Sequence, residues 1–130
     1  VHQPLPVLRD AFRLLTPNGR LYVEVPNVES WSCRWFGSRW TALDLPRHLT
    51  HFSRETLNRM LEAAGFRVVA WRMHTHADWL RASARLARRS RPANLFLQML
   101  RVKPLAHFVA WLGYLFGRAD SIMAIAERPD

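Results

Sequence analysis

Trp40, Arg47 and His48 lie in a stretch, residues 27–52, that keeps no helical or strand period and is rich in Trp, Arg, Gly and Pro. Their side chains suit a small acceptor molecule. An imidazole titrates near neutral pH, so His48 can act as a base or as a substrate contact. Arg47, just past the turn at Pro46, carries a guanidinium that clamps anions. A second reading needs no substrate. In it Arg47 and His48 tie a long loop down through backbone hydrogen bonds, and Trp40 anchors the loop by packing.

Other residues invite other chemistry. His48 and His51 could share a helical face, and His74 and His76 a strand face, as paired metal ligands do. No Cys or third His joins either pair at ligand spacing, and a catalytic zinc takes three protein ligands, so no metal site is expected. Trp31, Arg34, Trp35, Arg39 and Trp40 interleave as base-stacking platforms do. No recognised nucleic-acid module accompanies them, so a folded loop is expected and no specific nucleic-acid partner.

The elements that must position these residues show in the apolar spacing. Leu5, Leu8, Phe12 and Leu15 recur at helical intervals with Arg9, Asp10 and Arg13 opposite them. This helix stops at Thr16-Pro17-Asn18-Gly19, and Leu21 to Val25 follows as a strand ended by Pro26. Helix, tight turn and strand in that order predict an α/β fold. Ser53 reads as an N-cap with Glu55 in the first turn, Leu57, Met60, Leu61 and Ala64 as a buried stripe, and Gly65 as the left-handed residue past the helix end. Further strands are predicted over residues 67–73 and 121–126. Residues 78–116 between them read as two or three helices.

The 130 residues are 49% hydrophobic, enough for one packed domain. Nineteen basic residues against ten acidic give a formal charge of +9, which favours anionic partners. Eighteen of the nineteen are Arg, spread along the chain except for Arg81, Arg85, Arg88, Arg89 and Arg91. The lone Cys33 excludes an internal disulfide framework and fits a reducing cytoplasm. The greasy stretch 93–116 is broken by Arg101, Lys103, Pro104 and His107, so a spanning helix is not expected. Its apolar face, beside the basic cluster, suits either packing on the sheet or docking on an anionic membrane, which would make the protein peripheral. No signal peptide opens the chain, and a start without Met almost directly in a helix suggests a fragment.

The run Leu8-Arg9-Asp10-Ala11, Leu14-Leu15-Thr16-Pro17-Asn18-Gly19-Arg20-Leu21 resembles the helix-turn-strand of class I S-adenosylmethionine-dependent methyltransferases. Val23-Glu24-Val25-Pro26-Asn27, Trp40, Asp44-Leu45-Pro46-Arg47-His48-Leu49, Phe52-Ser53, Leu57 and Ala63-Ala64-Gly65-Phe66 continue the pattern of one bacterial branch, and Ala126-Glu127-Arg128-Pro129 resembles its closing strand. The resemblance implies the C-terminal half of a Rossmann-like sheet, strands five to seven with the last two antiparallel. That half would be residues 1–76 and 119–130, with a helical insertion over 77–118. It implies S-adenosylmethionine as cofactor and puts Asn27 at the ligand-binding carboxyl edge of the sheet. Asn27, Trp40 and Arg47 then become candidate substrate contacts and His48 the candidate base.

One departure qualifies this. The family grips its cofactor with a glycine-rich loop after the first strand and an acidic residue ending the second. Gly19, Gly37, Gly65, Gly113 and Gly117 include no G-x-G pair, so no cofactor-binding residue is expected in this chain and it is expected to be inactive alone. The resulting expectation is a methyltransferase fragment whose complete form methylates a small-molecule or lipid-linked acceptor. Such chemistry asks the protein to position the acceptor and remove its proton. The rivals are a basic amphipathic module for anionic membrane or nucleic acid, and a catalytically dead remnant kept for dimerisation. A strand left without its upstream neighbour would also promote self-association.

Overall fold

The computed structural model describes residues 3–46, 48–88 and 95–130. Arg47, Arg89 and Arg91 lie outside them. The fold is α/β, with six helices and three strands among the described residues.

Helix α1 (Pro4–Leu14) begins with proline in its first turn, where no backbone donor is needed, and buries Leu8. The turn after it takes Asn18 at φ 61°, and the Gly19 N–H donates to the Thr16 carbonyl at 2.9 Å. Strand β1 (Arg20–Pro26) follows. Helix α3 (Arg54–Ala63) is capped as its sequence predicts: the Ser53 hydroxyl accepts from the Thr56 N–H, and Thr56 returns the bond to the Ser53 N–H. Gly65 ends it at φ +101°, and a Cβ there would sit 2.9 Å from the Phe12 ring, so both backbone and packing require glycine. Strands β2 (Arg67–His74) and β3 (Ser121–Glu127) complete the sheet in the order β1-β3-β2, with β3 antiparallel to both neighbours. The two outer strands therefore run parallel.

Alternation along the strands sends Leu21, Val23 and Val25 to the face that carries Ile122, Ala124 and Ala126. Helices α1 and α3 cover that face and form one core with Leu57, Leu61 and Phe66. Tyr22, Glu24 and Arg72 on the opposite face are exposed.

A second core lies apart from the sheet. It gathers α2 (Trp31–Phe36), two 3-10 turns (Gly37–Arg39 and Thr41–Leu43), α4 (Ala77–Arg88), α5 (Leu95–Met99) and α6 (Lys103–Leu115) around Phe36, Trp40, Leu80, Leu100 and Ala106. The helical stretch thus draws in the aperiodic loop of residues 31–43. Its last helix packs on α4. Among the described residues no helix is long and apolar enough to cross a membrane.

Candidate functional site

The carboxyl ends of β1 and β2 meet across the start of β3, where Ser121 is the register partner of both Pro26 and His74. That register gathers polar side chains far apart in sequence. The Ser121 hydroxyl donates to Glu24 Oε1 at 2.6 Å, and His74 Nδ1 lies 3.0 Å from the same oxygen. His76 Nε2 is 3.2 Å from Ser121 Oγ and 3.6 Å from Glu24 Oε1. A carboxylate only accepts, so His74 donates from Nδ1, and neutral His74 keeps its lone pair on Nε2. The Ser121 hydroxyl uses its one proton in the bond to Glu24, so toward His76 it accepts and His76 donates from Nε2. The Ser121 hydrogen bond above all holds the Glu24 carboxyl below its ordinary range; burial, next in size, opposes it, and the His74 hydrogen bond and the charges of His74 and His76 add to the lowering. The His76 ring stacks on Trp79, 3.9 Å between centroids.

Behind this cluster Asp120 is buried at 3% exposure. Its Oδ1 accepts from the Ser32 hydroxyl at 2.6 Å and its Oδ2 from the His76 N–H at 3.0 Å. Burial pushes its carboxyl up, and the two hydrogen bonds and the nearby His76 pull it partly back.

Beside the outer edge of β1, between α1 and α3, runs a groove of about 480 Å³. Val7, Val23, Val25, Leu57 and Met60 make its apolar length, and Glu24 and His48 are among its polar lining. Glu24 therefore belongs to both the cluster and the groove. His48 is exposed in a loop, its N–H donating to the Asp44 carbonyl at 3.1 Å and its Nδ1 3.6 Å from Asp44 Oδ2. His51 Nε2 meets the Leu43 carbonyl at 3.2 Å, so these two histidines sit on a loop and share no helix.

The expected substrate contacts fare differently. Asn27 is 2% exposed; its amide donates to the Ala119 carbonyl at 3.0 Å and accepts from the Glu29 N–H at 3.0 Å. Its backbone bridges in parallel to Phe52. Trp40 is 1% exposed inside the helical core. Neither is among the residues that line the groove. Arg47 lies outside the described residues. The tryptophan run is likewise spent on packing, Trp31 stacking on Trp35 and Trp35 meeting Phe96 edge-on. Among the described residues no three His, Cys, Asp or Glu side chains are arranged to hold a metal ion.

Sequence reading missed Glu24, Ser121 and Asp120 as site residues. Glu24 and Ser121 are 97 positions apart, and only the strand register brings them together. A buried acid immediately before a strand was the one available signal.

The sequence model of a family described as a methyltransferase domain matches residues 1–70. The chain belongs to this methyltransferase family. The match takes in α1, β1, α3 and much of β2, and so the walls of the groove along with Glu24 and His48; His74, His76 and Ser121 fall beyond it. No curated protein gives a significant match.

Proposed function

We propose that this chain is the acceptor-side half of a class I S-adenosylmethionine-dependent methyltransferase acting on a small-molecule or lipid-linked acceptor. Its three strands are then the fifth, sixth and seventh of the family sheet. The observation that supports this best is the strand order β1-β3-β2 with one outer edge prepared for a neighbour. The edge of β2 is blunted by a bulge between Val68 and Ala70 and by Arg67 and Arg72. The edge of β1 away from β3 is flanked by an apolar groove that a fourth strand would fill.

The residues present do not fit S-adenosylmethionine itself. Gly19 and Gly65 close turns against Thr16 and Phe12, Gly113 packs inside α6, and Gly37 and Gly117 end helices, so none cradles a ligand at a strand-to-helix loop. The cofactor is gripped elsewhere in the enzyme. What this chain supplies is proton handling at the carboxyl edge: Glu24 holds His74 through Nδ1, and His48 stands at the polar part of the groove.

Sedimentation velocity on the isolated chain tests the open edge. Self-association that rises with concentration is expected, because an unpaired apolar strand edge recruits another. A monomer at every concentration counts against a strand missing beside β1.

A further inference from the structure

Helix α6 exposes an apolar face as well as burying one. Ala106, Val109, Ala110 and Gly113 are buried, the first three in the second core. At about 100° per residue, Pro104, Phe108, Trp111 and Leu115 fall on the opposite side. The last three are exposed by 54%, 52% and 56%, and the rings of Phe108 and Trp111 lie 6.0 Å apart. Leu95, Met99, Val102 and Phe116 are exposed on the adjoining segments. An exposed apolar ridge of this kind marks an interaction surface.

Charge indicates what covers it. Residues 79–119 contain no Asp or Glu and eight Arg or Lys. Lys103, His107 and Tyr114 run along one flank of the ridge by the same helical spacing. A second copy would bring the same positive surface against it. An anionic lipid surface offers what the ridge lacks, negative headgroups over an apolar interior, with Trp and Tyr at the boundary between them.

We propose that α6 docks in the headgroup layer of an anionic bilayer, with Phe108, Trp111 and Leu115 turned into the acyl chains and Lys103 on the headgroups. The inference goes beyond the methyltransferase reading and stands or falls without it.

The test is co-sedimentation of the 130-residue chain with vesicles of phosphatidylcholine alone or mixed with phosphatidylglycerol. Binding is expected only with the anionic lipid, is expected to weaken with added salt, and should drop by about tenfold or more in Phe108→Ser/Trp111→Ser/Leu115→Ser. Lys103→Glu, which leaves the apolar ridge intact, is expected to weaken binding in the same direction. Brominated acyl chains should quench tryptophan emission, and Trp111→Phe should bind normally yet lose much of that quenching. No binding, equal binding to both vesicle types, or anionic-vesicle binding unchanged in both the triple and the Lys103 variants overturns the proposal. So does lipid-free self-association that the triple variant abolishes, which assigns the face to a second copy.

Discussion

Asp120→Ala is expected to destabilise the chain by about 2 kcal/mol, measured by urea unfolding near neutral pH. The carboxylate joins three parts of the fold. One oxygen takes the Ser32 hydroxyl of α2, the other the His76 N–H at the entry to α4, and the Asp120 backbone carbonyl takes the Asn27 N–H at 2.9 Å. Alanine keeps the last bond and leaves the hydroxyl and the N–H buried without partners, each costing about 1–3 kcal/mol, offset by no longer burying a carboxylate. The pH dependence has a fixed sign. Burial raises the Asp120 pKa in the folded state, so its contribution is greatest below the ordinary carboxylate value and declines as pH rises through the raised one. The gap between wild type and Asp120→Ala should therefore narrow as pH rises across that window. Glu24 has the opposite sign: its pKa is lowered on folding, so its contribution is present above the ordinary value and lost as pH falls through the lowered one. A gap that widens with pH, or a variant as stable as wild type, contradicts the role given to Asp120.

In the enzyme proposed above, His74→Ala is expected to lower kcat by roughly 100-fold, a contribution ordinary for a positioned acid or base. Glu24→Gln should act in the same direction by a smaller factor. The amide keeps an acceptor for one donor and loses the charge that favours His74 protonated at Nδ1. If Glu24 positions His74, the variant shifts the pH profile of kcat and leaves KM near its starting value. Both substitutions fall on half-exposed side chains and should cost little stability. His48→Ala serves as the comparison, since His48 lies at the groove without a bonded carboxylate as close as that of His74. A turnover loss larger than its stability loss keeps His48 at the acceptor. Loss of activity only in step with melting temperature, in all three variants, would make every one of them structural.

Local elements were legible because their signals are local. Ser53 and Gly65 bounded α3 through a cap and a left-handed turn, and Pro17 to Gly19 bounded α1 in the same way. The antiparallel last strand was readable only through the family resemblance, since β3 is separated from β2 by the whole helical stretch. The site was far less legible. Its place at the carboxyl edge marked Asn27 as a ligand contact, yet polar groups at the end of a strand are as readily consumed by the backbone they must satisfy. The Glu24, His74 and Ser121 cluster depends on side chains that alternate onto one face of three strands in a particular register, and no single segment encodes that register.

The central claim, that this chain is the acceptor side of a methyltransferase whose cofactor is gripped elsewhere, is tested most directly by calorimetric titration of S-adenosylmethionine into the 130-residue chain and into the whole enzyme. The account predicts no saturable heat with the chain and stoichiometric binding to the whole enzyme. Saturable one-to-one binding to the isolated chain, or none to the whole enzyme, would contradict it.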